Sequence, residues 1–207
     1  MPPATHDPGH NPFATRYVRP GAVRYLFPPD CNAERLLERL RVNGWWGQIV
    51  GAHGSGKSSL LAALSPALAS ERRVILLALH DGQRRLDAGW RERNPLDANS
   101  LVVVDGYEQL SRWSKFRLKW FCRRRGAGLL VTAHANVGLP TLFETATDLP
   151  TAQRIVAGLL APGDQTIGLD DVAQAWQARA GNLREALFDL YDLYEQRRGA
   201  GRNGGNA

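Results

Sequence analysis

The sequence predicts an α/β fold: a three-layer α/β/α sandwich around a mostly parallel sheet, followed by a small C-terminal helical lid. Three observations predict it. Short apolar runs alternate with helical stretches from about residue 48 to 144, the pattern of parallel strands covered on both faces. A glycine-rich segment, Gly51-Ala52-His53-Gly54-Ser55-Gly56-Lys57-Ser58, lies between one such run and a helix start. From Asp148 onward apolar residues recur only at helical spacing.

The elements follow in chain order. Residues 1–12 carry Pro2, Pro3, Pro8 and Pro12 with few apolar groups, so a loose segment is expected. Phe13 to Pro29 is an arm rich in aromatics and arginine, and Val23, Tyr25 and Phe27 alternate with Arg24 and Leu26 as in a short strand. Residues 1–29 thus form a disordered N-terminus and an aromatic arm. Asp30 is placed to cap a helix from about Asn32 to Val42 that buries Leu36, Leu37 and Leu40 and stops at Gly44. Gln48-Ile49-Val50 is the first strand, and the helix after the glycine-rich segment should kink or end at Pro66. Residues 74–79 form the second strand, and 80–100 read mostly as loop. Leu101 to Asp105 is the third strand, Tyr107 to Arg125 one long helix, Leu129 to Ala133 the fourth strand, and Leu142-Phe143-Glu144 a short fifth. Residues 30–148 are the expected nucleotide-binding core.

Residues 149–197 form the expected lid. Pro150 suits a helix start, and Ala152, Ile155, Val156, Leu159 and Leu160 make its stripe. Asp170 is placed to cap a second helix, and Asn182 to open a third with Glu185 completing a capping box. The Gly-rich residues 198–207 are expected to be loose.

Composition narrows the class. At 207 residues the chain is one domain, or one with an appendage. No window has the apolar length of a membrane span, and no basic start precedes an apolar run. Cys31 and Cys122 match no metal or redox spacing, as expected of free thiols in a reducing cytoplasm. The net charge is +6, but only Lys57, Lys115 and Lys119 are lysines. That Arg-rich, Ala- and Gly-rich pattern suits a GC-rich coding sequence as well as a polyanion partner, so charge alone selects no partner.

Residues 51–58 fit G-x-x-x-x-G-K-[ST], a phosphate-binding loop, in the required strand-loop-helix setting. Its glycines let backbone N–H groups turn around a phosphate, and the helix start adds its positive dipole end. Gly51 through Ser59 are therefore the candidate nucleotide contacts. Lys57 would reach the β- and γ-phosphates, and Ser58 would ligate Mg²⁺. Asp105 ends an apolar strand at the sheet edge where ligands bind, so it is the candidate second metal group. Glu108, three residues on, is the candidate for activating water. Thr132 and His134 end the fourth strand at the same edge and are candidates for sensing the γ-phosphate. Arg184 sits in the first turn of a helix, where a cation opposes the dipole. Such a departure suggests an Arg that closes onto a bound phosphate, unless Glu185 and Asp189 neutralise it.

These residues resemble an AAA+ ATPase: the loop at 51–58, the strand-ending acid at 105, the polar strand end at Thr132, and Gly-Asn-Leu-Arg-Glu-Ala-Leu at 181–187. The resemblance spans roughly 31–197, and the tail is most similar to the lid of replication-initiator-type members, where a like Arg is the second sensor. It implies ATP and Mg²⁺ as cofactors and a five-stranded sheet with the strand at 129–133 between those at 48–50 and 101–104. Three features depart from it. The sequence Asp105-Gly106-Tyr107-Glu108 has the spacing of STAND-class ATPases. Residues 131–142 contain no Arg, so a trans-acting arginine finger and a ring have no evident basis. No ABC-type signature is present.

The helix at 107–125 carries a stripe of Arg112, Lys115, Lys119 and Arg123, beside Trp113, Phe116 and Trp120. It suggests a grip for nucleic acid or an acidic protein, or else aromatics packed under the N-terminal arm with solvated cations. The functional expectation is a cytoplasmic Mg-dependent ATPase that couples nucleotide state to a partner. The alternatives are a nucleotide switch with negligible hydrolysis and a P-loop kinase for a small molecule.

Overall fold

A computed structural model describes residues 10–19, 22–87 and 89–203. The expected looseness of residues 1–9 and 204–207 concerns positions outside the described ones. In chain order the elements are α1 (Thr15–Val18), α2 (Ala33–Val42), β1 (Trp46–Val50), α3 (Lys57–Glu71), β2 (Arg73–Ala78), α4 (Trp90–Arg93) and β3 (Ser100–Asp105). A 3-10 turn (Tyr107–Gln109) follows, then α5 (Arg112–Arg124), β4 (Gly128–Ala133), β5 (Thr141–Glu144), α6 (Leu149–Leu159), α7 (Leu169–Ala178) and α8 (Leu183–Asn203). They fall into two compact units. One comprises Phe27–Ala52 and Lys57–Thr145; the other comprises Met1–Leu26, His53–Gly56 and Ala146–Ala207.

The first unit is an all-parallel sheet in the order β2-β3-β4-β1-β5, with helices on both sides. β4 lies between β1 and β3 as expected, and β5 extends the sheet beyond β1. Strand alternation sorts the core. Val102 and Val104 of β3, beside Leu129 and Val131 of β4, pack on the face that holds Leu118 and Cys122 of α5. Leu130 points the other way: a Cβ at Gly47 would lie 3.1 Å from Leu40 and 3.6 Å from Leu130 and Leu142. Glycine at 47 thus lets α2 approach the sheet closely. β4 is buried along its whole length, as a central strand of a doubly covered sheet must be.

Several expected boundaries differ. Asn32, not Asp30, caps α2: its Oδ1 accepts the N–H of Arg35 at 2.8 Å, while Asp30 offers only its carbonyl. A helix runs through Pro66 to Glu71. The ring removes the bond to the carbonyl of Ala62, but Ala62 and Pro66 both face solvent, so water can satisfy that carbonyl. No strand forms at 23–27. The long helix expected from Tyr107 is divided. Gly106 takes φ +82°, Leu110 is extended, and Ser111 restarts the helix by accepting the N–H of Ser114. A local side-chain cap thereby wins over continuous helix.

The second unit is built by α6, α7 and α8 around Val156, Val172, Leu183, Leu187 and Leu190. Phe13 joins this core with no exposed surface, edge-on to Tyr194 at 5.9 Å. Its anchor is Asn11, whose amide donates to the carbonyl of Tyr191 at 2.9 Å and to Glu195 at 2.8 Å. The composition of residues 1–12 therefore misjudged Asn11 and Pro12, which are buried. One aromatic anchor with a satisfied amide is enough to order Asn11 and Pro12. Gly168, not Asp170, is the cap of α7, with its N–H donating to Asp171 at 2.8 Å. Helix α8 continues through residues 198–203, which composition read as loose. Elongating a formed helix requires far less than nucleating one.

Candidate functional site

β1 delivers the chain to the candidate phosphate loop, and the ladder continues one residue further, from Gly51 N–H to the carbonyl of Ala133 at 3.2 Å. Gly54 and Gly56 then take φ +74° and +91°, left-handed values that a side chain would oppose. Lys57 opens α3 and is buried. Its ammonium donates to the carbonyls of Gly51 and Ala52, at 2.7 Å each. Burial holds its pKa below the usual lysine value, opposed by the nearby carboxylates of Glu108 and Asp105. A buried ammonium held by two neutral carbonyls is well placed to exchange them for phosphate oxygens, which bear full charge.

At the C-terminal edge of the sheet, Asp105 ends β3 and Thr132 lies on β4 beside it. The Thr132 hydroxyl donates to Asp105 Oδ1 at 2.6 Å and accepts the Gly106 N–H at 2.9 Å. Its single proton is therefore given to Asp105, and it fixes that carboxylate and the turn after it. Gly106 admits no side chain without crowding, since a Cβ would lie 3.0 Å from the carbonyl of Leu79. The turn carries Glu108 at the same edge. Its Oε1 lies 3.2 Å from His134 Nε2, and its Oε2 is buried with no hydrogen-bond partner. A buried carboxylate oxygen without a donor is costly unless a further group completes it. Lys115 of α5 supports the turn from behind, donating to the Glu108 carbonyl at 3.3 Å.

The residues present fit a nucleotide and Mg²⁺: left-handed glycines, a buried lysine on neutral carbonyls, an oriented Asp and an orphaned Glu oxygen. Lys57, Asp105, Glu108, Thr132 and His134 are thus brought together within one unit. Ser58 and Ser59, in the first turn of α3, follow directly from Lys57. Within the other unit, Asn182 caps α8, accepting the Glu185 N–H at 3.3 Å. A Cβ at Gly54 would collide with the Asn182 side-chain oxygen. Arg184 is exposed and, among the described residues, forms no ion pair with either expected neutraliser, Glu185 or Asp189; Asp189 binds Arg179 bidentately at 2.6 and 2.7 Å.

Three contacts of the loop escaped sequence reasoning. The sequence marks Asn182 only as a cap. It marks Tyr25 only as part of the arm, yet the ring edge would stand 3.5 Å from a Cβ at Gly56. Thr147 donates to the Ser55 carbonyl at 3.4 Å. An aromatic just ahead of the first core helix was the available signal for Tyr25; Thr147 carried none.

Comparison with known proteins agrees with this fold. No family model matches the chain, and no curated protein sequence matches it significantly. Among solved structures, a variant of Thermotoga maritima RuvB matches with a TM-score of 0.53 at 14% identity, over 81% of this chain and 66% of the RuvB chain. The chain thus spans just under two thirds of that protein's length. C. elegans PCH-2 matches at 14% identity over 81% of this chain and 67% of that one, with a TM-score of 0.37. The chain has the AAA+ P-loop ATPase fold. Among the described residues no helix is long and apolar enough to cross a membrane.

Proposed function

We propose that this chain is a Mg-dependent ATPase of the cytoplasm that couples nucleotide state to a partner. The observation that carries the reading is Glu108 beside Asp105 and Lys57. One carboxylate is clamped by Thr132, the other has a buried oxygen in want of a donor, and a buried ammonium lies within electrostatic reach of both.

The roles follow from chemistry. Residues 51–59 bind the phosphates, with Lys57 exchanging the Gly51 and Ala52 carbonyls for phosphate oxygens. Ser58 and Asp105 hold the metal, which when bound supplies positive charge to the phosphate oxygens. Glu108 accepts a proton from attacking water, and His134 holds the Glu108 carboxylate in place. Thr132 acts through Asp105 as a positioning residue. Arg184, which forms no ion pair among the described residues, serves as the sensor of nucleotide state in the helical unit. Removing it by Arg184→Ala should slow turnover and reduce the difference in protease protection of 149–197 between ATP- and ADP-loaded protein.

Steady-state phosphate release tests the reading. Wild type should turn over above a Lys57→Ala background. The His134 contact at Glu108 Oε1 favours a second reading, in which the acid is held back and the protein is a slow nucleotide switch. A wild type that binds a fluorescent ATP analogue yet releases no phosphate, alone or with partners, would establish that second reading.

A further inference from the structure

Helix α5 departs from ordinary surface chemistry. Between Arg112 and Arg125 the chain carries seven cations and no acid. Leu118 and Cys122 face the sheet. The opposite side exposes three large aromatics: Trp113 at 66%, Phe116 at 59% and Trp120 at 50%.

The expected stripe of Arg112, Lys115, Lys119 and Arg123 is partly internal. Lys115 holds the Glu108 carbonyl, Lys119 donates to the carbonyl of Val137 at 2.8 Å, and Arg123 lies over the Trp46 ring at 5.0 Å. Burial and its cationic neighbours push the Lys119 pKa down. Subtracting these groups leaves a different outward face. It is Arg112, Trp113, Phe116, Arg117, Trp120 and Arg124, all exposed and recurring at helical spacing. Trp113 and Phe116 stack on each other at 5.7 Å with planes 22° apart, and Arg124 lies over Trp120 at 5.4 Å.

We propose that this face binds single-stranded nucleic acid. Flat rings offer stacking surfaces to bases of any sequence, and guanidinium groups between them meet the phosphates. Trp113 and Trp120 are seven residues apart, about 10 Å along the helix, a span of a few nucleotides. The chemistry favours this occupant over others. Trp and Arg also anchor protein interfaces, but seven cations with no acid between Arg112 and Arg125 favour a continuous polyanion. A bilayer would require rings free of charge at their own depth, whereas Arg124 covers Trp120. The same face of a second copy would be repelled by its own charge.

Fluorescence anisotropy with labelled oligo-dT of twenty nucleotides tests this on the full chain. Wild type should bind at about 20 mM salt and weaken steeply with added salt, as phosphate contacts require. Trp113→Leu with Trp120→Leu should cut affinity at least about tenfold while leaving the salt slope unchanged. Arg112→Gln, Arg117→Gln and Arg124→Gln together should flatten the slope by about two. Binding of the fluorescent ATP analogue and far-UV circular dichroism should be unaltered in both variants. Lys57→Ala should keep oligonucleotide binding, so that failure of the nucleotide site and failure of this face are separate results. The proposal falls if wild type ignores oligo-dT at low salt or if the leucine variant binds as well as wild type. It also falls if vesicles of anionic phosphatidylserine are bound instead and equally by wild type and leucine variant, or if sedimentation shows the face holding two copies together.

Discussion

The sheet edge and the outer face of α5 break the rule of burial in opposite directions. At the edge, groups that belong in water are buried: the Lys57 ammonium and the Glu108 Oε2 oxygen. On α5, groups that belong in a core are exposed: Trp113, Phe116 and Trp120. Folding rewards neither arrangement, since the first costs desolvation and the second forgoes hydrophobic burial. The contrast teaches that the two proposed sites differ in chemistry. The edge suits a charged group that completes buried polar atoms, and the outer face of α5 suits the flat, anionic ligand proposed for it. Core positions such as Phe13 obey the rule, so they should report on stability and on nothing else.

Phe13→Ala is the control and the largest effect. It removes a fully buried ring and should cost about 3–5 kcal/mol of unfolding free energy. Urea denaturation measures this, and a loss under about 1 kcal/mol would mean the arm is not part of the helical core.

Lys57→Ala should weaken binding of a fluorescent ATP analogue about a hundredfold, near 2.7 kcal/mol, the scale of lost charge-assisted hydrogen bonds. Unchanged affinity would turn the buried ammonium into a structural feature and erase the contrast with α5.

Glu108→Gln is nearly isosteric. It should keep nucleotide affinity and lower turnover at least about tenfold, some 1.4 kcal/mol of barrier. Phosphate release at the wild-type rate would move the catalytic role elsewhere.

Thr132→Val leaves Asp105 and the Gly106 N–H without their shared partner. It should cost about 1–3 kcal/mol of stability and blunt the Mg²⁺ dependence of nucleotide binding. Retention of the wild-type Mg²⁺ profile, with only stability reduced, would confine Thr132 to holding the turn.

The smallest effect is a pH dependence. Lys57 has a folded pKa below its unfolded value, so at pH between the two the unfolded chain binds more protons. Stability of the nucleotide-free protein should therefore rise with pH through that alkaline window, and Lys57→Met should remove this increment. Parallel urea titrations of the two proteins at several alkaline pH values compare the slopes; equal slopes would show that burial leaves the ammonium untaxed.

The sequence by itself determined whatever depends on local pattern. Four of the strands are short apolar runs bounded by turn residues, and the parallel sheet follows from their alternation with helices. The phosphate loop is a contiguous motif whose glycines impose their own backbone, and Asp105 is marked by its place at a strand end. Tertiary structure decided whatever depends on residues far apart in the chain. Thr132 meets Asp105 only because β3 and β4 pair in a given register. Lys115 and Lys119 look like free surface charge on a helical wheel, but neighbouring loops present carbonyls to them. Asn11 sits in a segment whose composition reads as loose, because its partners on α8 lie about 180 residues away. A pattern read along the chain records how each residue suits its neighbours in sequence. Hydrogen-bond partners and burial are set by neighbours in space, and that is why the fold was legible while the assignment of individual charges was not.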